Sequence, residues 1–250
     1  MKPKTVRKRL DLLLVERGCA ESSQKASAMI LAGEVQVDGR RAGKAGMAVS
    51  EDARIEVSSR AQRFVSRGGT KLEGALEDFG IDPAGRVCLD IGSSHGGFTD
   101  CLLQRGAARV YAIDVSVEQL DWKLSQDPRV ISIKRNARDL KVEDIPERAE
   151  LVVIDVSFIS VRKVIAPAVA LAEPGAALLI LVKPQFELRR EEIGPGGIVK
   201  DEKLHQTAIL AVRDFVESIG LHFVGVRPSR LLGAEGNQEH FLHARKKTLE

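Results

Sequence analysis

The spacing of apolar and polar positions changes character once along this chain. Up to residue 57 the apolar runs are short. "RLDLLLVERG" has the spacing of an amphipathic helix ending at Gly18, and "SSQKASAMILAG" predicts a second helix with Ser22 or Ser23 as N-cap and Gly33 as its stop. "EVQVDGR" alternates and then turns at Asp38-Gly39, a hairpin signal, and "ARIEV" alternates again. From Thr70 the pattern is different. "TKLEGALEDFG" is helical, and "RVCLDIG", "ARVYAIDV", "RVISIKRNA", "ELVVIDV", "ALLILVKP" and "LHFVGVRPS" are strand-like runs separated by helices or loops. A late "NQEHFLHARK" predicts a final antiparallel strand. Strands rich in Val, Ile and Leu that alternate with helices predict an α/β fold: a Rossmann-like, mostly parallel seven-stranded sheet with helices on both faces. The expected organisation is a small α+β domain over residues 1–59, a basic linker over 60–69 ("SSRAQRFVSRGG" is polar and ends in glycines) and the α/β domain over 70–250.

Composition narrows the class. With 44% hydrophobic and 29% charged residues the chain reads as a globular protein. Cys19, Cys88 and Cys101 form no CxxC pair, so neither a disulfide framework nor a zinc site is expected, no metal is called for, and a reducing cytoplasm fits. The basic N-terminus lacks the apolar core of a signal peptide. The apolar region Val164–Val182 is interrupted by Glu173 and two prolines, which makes it too broken for a membrane span. Net charge is only +3, but its distribution is uneven. Lys2, Lys4, Arg7, Lys8 and Arg9 open the chain without an acid, Arg40, Arg41 and Lys44 cluster further on, and Arg60, Arg63 and Arg67 follow. A basic end on a near-neutral body suggests a surface that docks on a polyanion.

The most informative stretch is "VCLDIGSSHGGFTDCLLQRGAARVYAIDVS". Asp90 and Gly92 close the first strand of the α/β domain, Gly96 and Gly97 precede a helix starting near Phe98, and Asp114 closes the second strand. In doubly wound sheets the ligand lies across the carboxyl ends of the strands, and an acid at the second strand tip binds ribose hydroxyls. The glycine order differs from the dinucleotide fingerprint, and an acid precedes the first glycine. That suits a cofactor with a cationic amino-acid end and no phosphate, as in S-adenosylmethionine.

Four further polar residues stand at the ends of elements: Lys71 near the start of the first helix, Asp155 after "LVVI", Lys183 after "LLILV" and Glu239 in the late strand. Consecutive parallel strands deliver their tips to one crevice, so Asp155 and Lys183 are expected to meet beside the cofactor. Methylation of a hydroxyl calls for such a set. A ribose hydroxyl is a weak nucleophile that must be aligned with a methyl sulfonium and lose a proton. A desolvated lysine beside a second cation can be neutral and act as general base. This assigns Lys183 as base, Lys71 as the second cation that orients the hydroxyl, and Asp155 and Glu239 as the acids that position the lysines, with Asp155 also facing the cofactor.

Nearly the whole chain resembles the TlyA family, also labelled hemolysin A, whose members join an S4-type RNA-binding domain to an FtsJ-like methyltransferase domain. "RLDLLLVERGCAESSQKASAMILAGEVQVDGR" resembles the RNA-binding module, while "FVSRGGTKLEGAL", "LDIGSSHGGFTDCLLQRGA", "VVIDVSFIS", "LVKPQFE", "GGIVKDEKLH" and "GNQEHF" resemble the successive methyltransferase motifs. The resemblance implies ribose 2′-O-methylation of ribosomal RNA at a cytidine and a Lys-Asp-Lys-Glu tetrad, which falls on Lys71, Asp155, Lys183 and Glu239. It places the cofactor at Asp90, Gly92, Ser94, Gly97, Phe98, Asp114 and Asp155, with Asn136 near the adenine. RNA contacts are expected from Arg7, Arg9, Lys25, Arg40, Arg41, Lys44 and Arg67. The chain departs from the family pattern at His95 (usually Thr), Ser116 (usually Gly) and Gln24 (usually Arg). Two other classes compete: an RNA-binding assembly factor with weak or lost catalysis, and a membrane-active hemolysin, against which stand the missing secretion signal, spanning segment and strongly amphipathic helix.

Overall fold

The computed structural model describes residues 7–57, 63–233 and 236–248, which form two compact units, residues 1–62 and 63–250. In the first unit β1 (Arg7–Arg9) leads into α1 (Leu10–Glu16) and α2 (Ser23–Ala32), followed by β2 (Val35–Val37), β3 (Arg40–Arg41), β4 (Ala48–Ser50) and β5 (Ile55–Val57). Ser22 is the N-cap of α2, its side chain accepting from the Lys25 N–H, and Gly33 ends the helix in the left-handed region. Asp38 and Gly39 both have positive φ, the geometry of a tight two-residue hairpin turn, and they let β2 fold back on β3. β1 pairs with β4, and β2 with both β3 and β5, all antiparallel. Leu10, Leu13, Leu14, Ala26, Ile30 and Val35 fill a core of their own.

The second unit begins differently from the expected linker. Phe64 is buried, and α3 runs Arg67–Phe79, so Arg67, Gly68 and Gly69 are helical. The reason is close packing: a Cβ on Gly69 would lie 2.3 Å from the Phe64 ring, so the glycine is there for contact and not for flexibility. Residues 60–62 of that expected linker lie outside the described residues. The chain then alternates through β6 (Val87–Ile91), α4 (Gly97–Gln104), β7 (Arg109–Asp114), α5 (Trp122–Ser125), β8 (Val130–Lys134), β9 (Ala149–Ile154), α6 (Arg162–Leu171), β10 (Ala172–Val182), α7 (Pro184–Glu187), α8 (Glu202–Ser218), β11 (His222–Pro228) and β12 (His240–Arg245).

The seven strands form one sheet in the order β11-β12-β10-β9-β6-β7-β8. β12 is antiparallel to both its neighbours, and β10, β9, β6, β7 and β8 are mutually parallel. Each central strand is buried on both faces. On β9, Val152 and Ile154 belong to the core shared with α6 and α8, while Leu151 and Val153 belong to the core shared with α3 and α4. This two-sided burial explains why the strands read as continuous apolar runs. It also brings the carboxyl ends of β6, β7, β9 and β10 to one edge of the sheet. Among the described residues no helix is long and apolar enough to cross a membrane.

Candidate active site

The glycine loop is built by two requirements. Gly92 has φ +83°, and a Cβ there would lie 2.1 Å from the Asp155 carbonyl oxygen, so only glycine lets β6 end this close to β9. The Gly92 and Ser93 N–H groups donate to the Ile113 carbonyl, and the Ser94 N–H donates to Asp114 Oδ2 at 2.9 Å. The Ser116 N–H donates to Asp114 Oδ1 at 2.9 Å, which fixes the acid from both sides. Ser116 has φ −129°, a conformation open to any residue, so serine is accommodated there without strain. His95 is held outside this framework, with its ring 3.2 Å from Ser94 Oγ.

A cavity of about 450 Å³ lies on this edge of the sheet, lined by Gly92, Ser94, Asp114, Asn136, Asp155 and Phe158 among others. Its size is that of a small-molecule site. Asn136 caps the turn after β8, its side-chain oxygen accepting from the Arg138 N–H. Asp90 lies behind the cavity, fully buried. Thr99 Oγ1 donates to its Oδ2 at 2.6 Å, and its Oδ1 has no hydrogen-bond partner among the described residues. Burial pushes the Asp90 carboxyl up to about 7; the Thr99 hydrogen bond opposes that rise, and the Asp155 and Asp114 carboxylates add to it. Three acids, with Asp90 leaving one oxygen unpaired, fit a cationic ligand, and S-adenosylmethionine carries an ammonium and a sulfonium.

Gly97, also expected at the cofactor, is the first residue of α4, and a Cβ on it would strike Ser66 Oγ. Phe98 does not line the cavity. It is 4% exposed and packs against Phe241, with ring centres 6.1 Å apart, so its place is in the core. The helical turn that begins at Gly97 aims this side chain at Phe241 of the sheet and away from the cavity.

The four polar residues form two ion pairs. Lys183 Nζ lies 2.6 Å from Asp155 Oδ1 and donates to Ser157 Oγ at 2.8 Å. Lys71 Nζ donates to Glu239 Oε2 at 2.5 Å, and the two side chains are 11% and 4% exposed. Asp155 and Lys183 each follow the last residue of their strand, while Glu239 immediately precedes β12 instead of lying within it. The register links the pairs. Val182 faces His240 across the antiparallel β10–β12 ladder, so one step further Lys183 comes opposite Glu239. Asn237 secures the approach to Glu239, its Oδ1 accepting from the Val199 N–H and its Nδ2 donating to the Gly197 carbonyl, which ties the "GGIV" and "GNQEHF" segments together.

Two contributors escaped the sequence reading although both lie in quoted motifs. Ser157 supplies the oxygen on Lys183. Phe158 is 88% exposed with φ +65°, and its ring lies 5.4 Å from that of Phe186. A bulky residue at positive φ is strained, and such strain concentrates at functional sites. An exposed aromatic side chain has no periodic signature by which the sequence could reveal it.

In the first unit Arg7, Lys25, Arg40, Arg41 and Lys44 are exposed. Arg7, Arg40 and Arg41 line a cleft floored by Val37, Met47 and Val49. Arg9 is engaged with Asp11 through two hydrogen bonds of 3.1 and 2.7 Å. Arg67, in the second unit, donates to the Leu232 carbonyl at 3.1 Å.

Comparison with known proteins agrees with this architecture. The S4 domain family matches residues 8–55, and the FtsJ-like methyltransferase family matches residues 64–246. The chain is 48% identical to the 16S/23S rRNA (cytidine-2′-O)-methyltransferase TlyA of Mycobacterium tuberculosis, over 97% of this chain and 91% of that one. It is 40% identical to Hemolysin A of Brachyspira hyodysenteriae, over 94% and 98%. A solved structure, "Putative hemolysin from Streptococcus thermophilus", superposes with a TM-score of 0.77 at 37% identity, over 96% of this chain and 89% of that one. The chain therefore belongs to the TlyA family of S-adenosylmethionine-dependent methyltransferases, with an S4 domain ahead of an FtsJ-like catalytic domain.

Proposed function

We propose that this protein methylates the 2′-hydroxyl of a cytidine ribose in ribosomal RNA. The observation that carries the reading is the two ion pairs, the part-exposed Lys183–Asp155 pair at the cavity and the buried Lys71–Glu239 pair, brought together by the β10–β12 register. The names of the relatives, rRNA (cytidine-2′-O)-methyltransferases among them, point the same way. The cofactor supplies an electrophilic methyl group on a sulfonium. Asp114 and Asn136 would hold its adenosine end, and the loop from Asp90 to Gly97 would hold its amino-acid end. Lys183, in its unprotonated form, would take the proton from the ribose hydroxyl as that oxygen accepts the methyl group. Asp155 and Ser157 hold Lys183 in place, and Glu239 holds Lys71 where its cation orients the hydroxyl oxygen.

Phe158 is the stacking platform for the base of the target nucleotide, since a ribose inside a packed helix is hard to present in line and an extruded base needs a partner. Arg7, Arg9, Lys25, Arg40, Arg41, Lys44 and Arg67 contact RNA phosphates. The setting is the cytoplasm. The chain has three free cysteines, and burial pushes the Cys88 and Cys101 thiols up to about 12, which leaves them inert.

The test is transfer of labelled methyl from S-adenosylmethionine to purified, unmodified ribosomal subunits, beside the Lys183→Ala variant. Label in RNA that falls by about 10²- to 10⁴-fold in the variant is the expected result. Label retained in Lys183→Ala but lost in Lys71→Ala would overturn the assignment of the base. No transfer by the native chain, with cofactor binding intact, would favour an assembly role.

A further inference from the structure

Glu187 stands outside the ligand cavity and outside the four residues described above, yet its surroundings are those of a working part. It is the last residue of α7, a single turn that starts directly after Lys183. Its side chain is 1% exposed. Three donors from the segment after β9 converge on it: Ser160 Oγ at 2.6 Å, the Val161 N–H at 2.7 Å and Arg162 Nε at 3.3 Å. Val161 is the N-cap position of the ten-residue α6, so the carboxylate also sits at the positive end of that helix.

The segment held in this way carries Asp155, Ser157 and Phe158. α7 and the residue before it touch that segment at three places. Lys183 reaches Asp155 and Ser157, the Phe186 ring lies against Phe158, and Glu187 grips Ser160, Val161 and Arg162. The first two contacts involve side chains at the cavity. The third lies behind them and anchors the far end of the segment, where the chain enters α6. A buried carboxylate is a costly way to cap a helix, because desolvation penalises its charge and an exposed Ser or Asp cap avoids the penalty. The arrangement is economical only if both the position and the direction of the hydrogen bonds matter.

We propose that Glu187 is a positioning residue for methyl transfer: it clamps the Asp155–Phe158 segment to the turn that carries Lys183 and so sets the distance between the base and its partners. The inference rests on the methyltransferase reading above. In-line transfer is sensitive to errors of about 1 Å, which can cost about a hundredfold in rate, so loosening the clamp lowers turnover more than it lowers binding.

The test uses the full chain with Glu187→Gln and Ser160→Ala. Glu187→Gln keeps the volume and one acceptor but loses the charge, and Ser160→Ala removes one donor from the same carboxylate. Three readouts are compared with the native protein: kcat and KM for methyl transfer to unmodified ribosomal subunits, affinity for S-adenosylhomocysteine by calorimetry, and amide hydrogen exchange. The expected result for Glu187→Gln is a kcat reduced about tenfold or more, with KM and cofactor affinity within about twofold. Exchange is expected to accelerate at Val161 and through residues 156–161 while the central strands keep their protection, and Ser160→Ala moves both readouts less in the same direction. Unchanged protection of residues 156–161 in Glu187→Gln overturns the clamp whatever the activity. Unchanged kcat with faster local exchange overturns its bearing on catalysis. A parallel loss of kcat, cofactor affinity and protection across the whole sheet assigns Glu187 to general stability and also overturns the proposal. A native chain that methylates no RNA takes down the methyltransferase reading, and the positioning role falls with it, while the exchange result still decides whether the clamp exists.

Discussion

The Lys71 ammonium lies 2.5 Å from the Glu239 carboxylate, although 168 residues of chain separate them. Both side chains are buried, so neither charge can be removed alone without leaving the other desolvated and unpaired. Glu239→Leu is expected to destabilise the fold by about 3 kcal/mol, and Lys71→Met by a similar amount. The double variant should recover much of that loss, because two apolar groups of similar volume leave no orphaned charge. Methyl transfer should stay abolished in all three. Denaturant titrations beside activity assays check this, and a double variant as unstable as the sum of the singles would mean that the pair is not coupled.

Phe158 makes the opposite prediction, a large functional effect with a small structural one. Its ring is exposed and its main packing partner is Phe186, so Phe158→Ala should change stability by no more than about 1 kcal/mol. Loss of a base-stacking platform costs about 1–3 kcal/mol, so kcat/KM for RNA should drop about tenfold or more. Wild-type kinetics in Phe158→Ala would remove the stacking role.

Asp90 and His243 give the stability an opposed pH dependence. Burial lowers the His243 imidazole to about 4 from 6.5, with Arg245 and His222 adding to the effect. Between pH 6.5 and 4 the unfolded chain therefore binds more protons at this site, and stability contributed by neutral His243 is lost as pH falls through that window. The slope approaches about 1.4 kcal/mol per pH unit at most. Asp90 has the reverse sign. Its raised pKa means that the folded protein holds the proton between pH 3.8 and about 7, so its contribution is lost as pH rises through that window. His243→Phe, which keeps a ring against Phe79, should unmask the Asp90 slope, and Asp90→Asn the His243 slope. Melting temperatures from pH 4 to 7.5 test both, and identical profiles for the two variants would refute the assignment.

A cationic ligand favours ionised Asp90. Cofactor binding near pH 6.5 should therefore release a fraction of a proton and tighten as pH rises towards about 8. Calorimetry in two buffers of different ionisation enthalpy measures the release directly. In Asp90→Asn the release should vanish; its persistence would place the titrating group elsewhere.

The basic residues of the first unit are not equivalent. Arg9 is exposed but held by Asp11 through two hydrogen bonds, whereas Arg40 and Arg41 line the open cleft. Each phosphate contact removed lowers the slope of log affinity against log salt by about one. Arg40→Ala and Arg41→Ala should each do so for RNA binding, and Arg9→Ala should change the slope less. Equal changes for all three would mean that RNA competes Arg9 away from Asp11.

Local features were legible because local physics determines them. Ser22 and Gly33 bound α2 through capping geometry, Asp38-Gly39 makes the hairpin turn because both residues accept positive φ, and the continuous Val/Ile/Leu runs become strands buried on two faces. The acids near the ends of β6 and β7, Asp90 and Asp114, could be read as a candidate cofactor site for a similar reason, since strand tips in a parallel sheet face one crevice. The start of α3 was misread because Gly68 and Gly69 look like linker residues in a one-dimensional pattern. Gly69 lets the Phe64 ring approach the helix, and Gly68 sits against Phe98, which are properties of packing.

By itself, the sequence determined the elements, their alternation and the chemical types available at their ends. Only the tertiary structure decided which of these groups meet. The insertion of β12 between β10 and β11 puts Glu239 opposite Lys183, and the crossing of α3 delivers Lys71 to it. The same packing sends Phe98 into the core and leaves Phe158 in solvent, though both are phenylalanines in glycine- or serine-rich turns. It also converts Glu187 from one more charged residue into a buried clamp. The physical reason is that periodicity and capping act over a few residues, whereas register, sheet order and burial depend on partners that are distant in the chain.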